Sequence, residues 1–132
     1  MANSYTDLKV WKKALELSIQ VYHLTASFPR EELYGLTSQM RRASVSIASN
    51  IAEGSARGTR REFRQFVKLS AGSNCELQTQ LMIARELGFG NRDAAVRIDQ
   101  LSNEVGRMLT ALSKYLSCEI GATANRRGTT SN

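Results

Sequence analysis

Apolar positions in this chain fall into four stretches with a period near 3.6, and each predicts an amphipathic helix. The first runs from about Asp7 to Thr25, with Thr6 placed to cap it. It carries two apolar stripes. Leu8, Trp11, Leu15, Ile19 and Tyr22 form one; Val10, Ala14, Leu17, Val21 and Leu24 form the other. At about 100° per residue they sit roughly 140° apart. One stripe suffices for an intramolecular core. Either a broad bundle face buries both, or one meets another subunit. The residues leave open which stripe that is; Val10, Ala14, Leu17, Val21 and Leu24 are taken as the oligomer interface.

Pro29 cannot continue the first helix and suits the first turn of the second. Glu31 and Glu32 follow where the helix dipole favours anions. The second helix is predicted from Pro29 or Arg30 to Glu53, on a stripe of Leu36, Met40, Ala43, Ile47 and Ile51, with Gly35 as a cost inside it. Ala43, Ser44, Ser46, Ala48, Ser49 and Ala52 are small, so a neighbouring helix can approach closely. Gly54 is placed to close this helix in a left-handed conformation, and Gly58 loosens the turn. Thr59 and Glu62 then make a T-x-x-E capping box, in which each side chain serves the other residue's amide. The third helix is predicted from Thr59 to Leu87, on Phe63, Phe66, Ser70, Asn74, Leu77, Leu81 and Ala84, with Gly72 as a close-contact position. Gly88 and Gly90 break it, and Asn91 can cap the fourth helix. That helix shows a stripe of Ala94, Ile98, Leu101, Val105, Met108, Leu112, Tyr115 and Leu116. Its pattern stops after Cys118, so residues 1–118 read as one bundle domain and 119–132 as a disordered polar tail. Period-two alternation is absent. Four helices with short connections predict an all-α, antiparallel up-down-up-down four-helix bundle.

Composition narrows the class without changing this picture. Hydrophobic content of 42% with a single proline favours a helical globular domain over disorder. No apolar run approaches the roughly 18 residues of a membrane span. The N-terminal MANSYTDLKVWKK has no apolar signal core, so a cytoplasmic protein without a membrane role is expected. Cys75 and Cys118 make no disulfide framework and read as reduced, partly buried thiols.

The search for chemistry returns little. His23 has no second ligand at metal spacing and reads as a surface histidine. Cys75 beside Glu76 has no histidine base, and GSARGTRRE is neither a P-loop nor a dinucleotide fingerprint. No metal, no cofactor and no catalytic residue is assigned, and the chain is read as not an enzyme. Asn50, Glu53, Ser70 and Asn74 are polar residues on or beside core stripes and need partners. They read as a structural cluster fixing the register of the second and third helices. The functional alternative is a pocket in which Asn50 and Glu53 work with Arg41 or Arg64.

Charge is more informative. The window from Arg41 to Lys68 holds seven cations and two carboxylates, net +5 of the chain's formal +6. Arg57, Arg60, Arg61, Arg64 and Lys68 can share one end and face of the hairpin, with Arg41 and Arg42 secondary. Arg60, Arg64 and Lys68 recur every four residues and line one side of a helix. Guanidinium groups so spaced suit the phosphates of a nucleic-acid backbone. No helix-turn-helix spacing, zinc finger or aromatic platform offers base readout. The alternative is a solvated arginine-rich turn that keeps the protein soluble.

These residues carry a resemblance. LTSQMRRASVSIASNIAEGSARGTRREFRQFVKLSAGSNCELQTQL resembles the signature of the bacterial 23S rRNA intervening-sequence (S23) four-helix bundle proteins. The matching elements are Gln39, Arg41, Arg42, Ser46-Ile47, Asn50 to Gly54, Phe63, Phe66, Gly72-Ser73 and Glu76-Leu77. Leu8, Val10, Trp11 and Ala14 fit as well, as do Phe28, Pro29 and Glu32. The resemblance implies a homopentamer. A distant similarity to the accessory variability protein of diversity-generating retroelements implies a basic pentameric barrel that binds nucleic acid. The expected function is sequence-tolerant binding of RNA or DNA. The alternative is a pentameric scaffold for a protein partner with no nucleic-acid role.

Overall fold

The computed structural model describes residues 5–130, with side chains through Cys118 apart from Asp7. Four α-helices and no strand are present among the described residues: α1 (Lys9–Thr25), α2 (Ser38–Ser55), α3 (Arg60–Glu86) and α4 (Arg92–Thr130). The helices pack in a closed order, α1 on α2, α2 on α3, α3 on α4 and α4 back on α1.

The start of α1 lies two residues later than the pattern predicts. Tyr5–Asp7 form a 3-10 turn, and Leu8, not Thr6, occupies the N-cap position. Val10, Ala14, Leu17, Val21 and Leu24 all lie inside the chain's own core. Their assignment as an oligomer interface is therefore corrected: α2 and α4 cover this stripe within one subunit. The stripe left uncovered is the other one, with Leu15, Ile19 and Tyr22 exposed and Leu8 and Trp11 half-buried.

Helix two differs more. From Arg30 the chain makes a 3-10 turn (Arg30–Glu32) and a π-helical turn (Leu33–Thr37) before α2 begins at Ser38. Gly35 interrupts the helix with φ −114° and ψ −114°, and the Glu32 carboxylate accepts from the Leu36 amide at 3.2 Å. The expected continuous helix is thus kinked at its glycine. Beyond the kink the stripe of Leu36, Met40, Ala43, Ile47 and Ile51 is fully buried.

Gly54 does not close α2. It stays helical and buried, and a Cβ there would stand 2.5 Å from the Phe66 Cβ. α3 approaches α2 closely at this point. The left-handed residue of the turn is Gly58, at φ +93°. Gly72, read as a close-contact position, faces open space. At the other end of α3, Gly88 and Gly90 have positive φ, and a Cβ on Gly90 would meet Leu24 at 2.7 Å. Asn91 caps α4 as expected, its Oδ1 accepting from the Ala94 amide at 2.8 Å.

In α4, Ile98, Leu101, Val105 and Leu116 are buried, together with Ala95 and Leu109 from outside the predicted stripe. Tyr115 is exposed instead. The helix continues to Thr130, past the point where the sequence predicts a disordered tail. Ser131, Asn132 and the side chains from Glu119 onward lie outside the described residues.

Candidate nucleic-acid interface

The α2–α3 turn is built by one cap and one glycine. Thr59 is extended at φ −121°, ψ 148°, and its hydroxyl oxygen accepts from the Glu62 amide at 3.1 Å. The Glu62 carboxylate does not reach back to the Thr59 amide; it accepts from the Thr59 hydroxyl at 3.0 Å. The cap starts α3 beside α2, and its first turns carry Arg60, Arg61 and Arg64.

The structure brings Arg57, Arg60, Arg61, Arg64 and Lys68 together at this end, but not as equivalent groups. Arg57 is held by an ion pair to Glu53 at 2.8 Å and lies 5.0 Å over the Phe66 ring. Arg60 stands 5.4 Å over the Tyr115 ring, and the Arg64 Nε donates to the Ser113 carbonyl at 3.3 Å. Both tie the turn to α4. Arg61 and Lys68 project into solvent.

Arg41 and Arg42 sit at the opposite end of α2, about 20 Å up the helix axis from Arg57. Arg41 is committed to packing: its Nε donates to Thr25 Oγ1 at 2.8 Å, and its guanidinium covers the Tyr22 ring at 4.7 Å. The two are separated from the turn cluster because α2 is a rigid rod between them.

The polar quartet also separates. Asn50 Nδ2 donates to the Ser46 carbonyl at 2.8 Å and to Ser46 Oγ at 2.9 Å; Ser46 Oγ in turn meets Ser73 Oγ at 2.9 Å. Ser70 donates to the Ile47 carbonyl at 2.8 Å. The Ser46–Ser73 and Ser70–Ile47 bonds join α2 to α3, whereas those of Asn50 stay within α2. Asn74 turns the other way: its amide donates to the Ser102 carbonyl at 3.0 Å and its Oδ1 accepts from the Ser102 hydroxyl at 2.7 Å, joining α3 to α4. Glu53 is exposed in its pair with Arg57. Asn50 and Glu53 therefore do not converge with Arg41 or Arg64.

Three depressions lie along the seam of α3 and α4. One of about 190 Å³ is lined by Lys68, Thr110 and Lys114, among others. The next, of about 460 Å³, shares Ala71 and Thr110 with it and adds Cys75 and Arg107. The third, of about 1060 Å³, shares Gln78 and Asn103 with the second and reaches Arg85 and Arg92. Lys114 and Arg107 are cations that the sequence reading did not single out. Their seven-residue spacing places them on one face of α4, but only the pairing of α3 with α4 brings that face beside Lys68. Cys75 and Cys118 are free and, against expectation, exposed. His23 is exposed as predicted. No group of three His, Cys, Asp or Glu side chains gathers among the described residues, and no described helix is long and apolar enough to cross a membrane.

A model of the 23S rRNA-intervening sequence protein family matches residues 6–111, most of the bundle and all of the basic turn. The chain belongs to that family. A solved structure with the same fold is a protein of unknown function from the S23 ribosomal protein family of Bacteroides thetaiotaomicron. The two are 22% identical with a TM-score of 0.73, over 80% of this chain and 98% of the other. A search of curated proteins returns no match.

Proposed function

We propose that this member of the family is a non-enzymatic, cytoplasmic bundle that binds RNA or DNA through its phosphates, without base specificity. The observation that carries the reading is the cluster of Arg57, Arg60, Arg61, Arg64 and Lys68 at the α2–α3 turn, with Lys114 of α4 near Lys68. Between Arg41 and Lys68, Glu53 and Glu62 offset it. Aromatic faces and carbonyls fix Arg57, Arg60 and Arg64, so less side-chain entropy is lost on meeting a phosphate. The reading needs no metal or cofactor. The family's description names 23S rRNA, which agrees with an RNA partner by association.

The same reading takes the helices as an up-down-up-down bundle assembled into a homopentamer through Leu15, Ile19, Tyr22 and their half-buried neighbours Leu8 and Trp11. A ring repeats the basic turn by symmetry and adds avidity. The test is fluorescence anisotropy with labelled single- and double-stranded RNA and DNA at about 50 and 200 mM salt. Wild-type binding should weaken steeply with salt and vanish in an Arg60/Arg61/Arg64→Ala variant. Folded protein that binds nothing at the lower salt would instead favour a pentameric scaffold for a protein partner. The exposed apolar stripe of α1 is the observation behind that second reading.

A further inference from the structure

We propose that the seam between α3 and α4 is a channel for one unpaired polynucleotide strand, lying lengthwise, with Arg107 and Lys114 of α4 holding its phosphates opposite Arg64 and Lys68 of α3. The inference rests on the proposed function and goes beyond it in naming the path, the strandedness and two further binding residues.

Continuity is the first ground. The three depressions share lining residues in sequence, Ala71 and Thr110 between the first pair and Gln78 and Asn103 between the second, so they form one groove. From Lys68 to Arg85 it follows α3 for about 25 Å. That length suits the roughly 4–16 nucleotides that single-strand grooves cover.

Charge is the second. Lys68, Arg85, Arg92, Arg107 and Lys114 line the groove from both helices, and the carboxylates there are Glu86 and Asp99, both in the largest depression at the far end. The half nearer the basic turn is therefore purely cationic, and Arg60 and Arg64 flank its entrance through their contacts with Tyr115 and Ser113.

Width decides the strandedness. The depressions, of about 190, 460 and 1060 Å³ along roughly 25 Å of helix, make a narrow furrow that admits one sugar-phosphate backbone. A duplex carries its phosphates on a convex surface and would rest on the rims. A single strand can descend to Gln78 and Asn103, whose exposed mutual hydrogen bond of 3.1 Å can be exchanged for the edges of any base. Both amides offer a donor and an acceptor, which makes the contact tolerant of sequence.

The experiment compares a labelled uridine homopolymer with a duplex RNA, using wild type, Arg107→Ala/Lys114→Ala and the Arg60/Arg61/Arg64→Ala variant. Wild type should prefer the homopolymer. Losing the two α4 cations should weaken its binding about tenfold at low salt and flatten the logarithmic salt slope by about 1.4. Both residues are exposed, so the unfolding midpoint should not move. As a second readout, Cys75 borders the groove. In a Cys118→Ser background, bound homopolymer should slow its reaction with a maleimide severalfold. Homopolymer binding that survives Arg107→Ala/Lys114→Ala but not the α3 variant, or an unshielded Cys75, would overturn the channel and leave the basic turn standing. A preference for the duplex would overturn the strandedness. A wild type that binds neither probe removes the proposed function and the channel together.

Discussion

Thr59 and Gly54, five residues apart, set opposite limits on the α2–α3 hairpin. Thr59 supplies the one side-chain acceptor for the first turn of α3, at the Glu62 amide. Thr59→Ala should cost about 0.5–2 kcal/mol, read as a lower midpoint in chemical denaturation; an unchanged midpoint would mean that α3 does not depend on this cap. Gly54 supplies an absence. Its missing Cβ leaves room for Phe66 and Phe63, with the Phe63 ring 3.1 Å from where that atom would be. Gly54→Ala gains helix propensity and loses the close approach. Overpacking should win, at about 1–3 kcal/mol of stability. A stabilised variant would show that the two helices can separate freely.

Helix α3 is the element on which α2 and α4 are registered. Ser70 and Ser73 bond to α2, whereas Asn74 bonds to α4, and these residues occupy adjacent faces of a single helix. Ser102→Ala is the cleanest probe of the α4 side, because it removes a fully buried hydroxyl and leaves the Asn74 Oδ1 without its donor. A loss of about 1–3 kcal/mol is expected, measured as faster amide exchange in α4 as well as a lower midpoint. Exchange that speeds in α1 and not in α4 would contradict this placement. Helix α2 keeps its cations apart for the same mechanical reason: a straight rod carries Arg41 to one end and delivers Arg57 at the other.

At the scale of the whole molecule, the closed packing order sets the α1–α2 side across from the α3–α4 side. The first bears exposed Leu15, Ile19, Tyr22 and Val45; the second bears the cationic groove. Light scattering at micromolar concentration should give a multiple of the subunit mass. Leu15→Asp/Ile19→Asp should reduce it to one subunit while preserving the helical circular dichroism. A monomeric wild type would end the oligomer reading.

The four helices, the N-caps of α3 and α4 and most of the core could be read from the chain. They depend on local periodicity and on contacts within one turn, as at Thr59 with Glu62 and Asn91 with Ala94. The family resemblance was likewise legible, because its motif lies in one continuous stretch. Three things were not. Which stripe of α1 is internal depends on where α2 and α4 lie, and both stripes are equally apolar along the chain. Whether a glycine turns or packs depends on its neighbour, so the left-handed conformation expected of Gly54 falls to Gly58, and Gly54 packs instead. The groove joins Lys68 to Lys114 and Arg107, residues some forty positions apart whose proximity exists only once α3 and α4 are paired. Periodicity specifies a face; only packing specifies what that face meets.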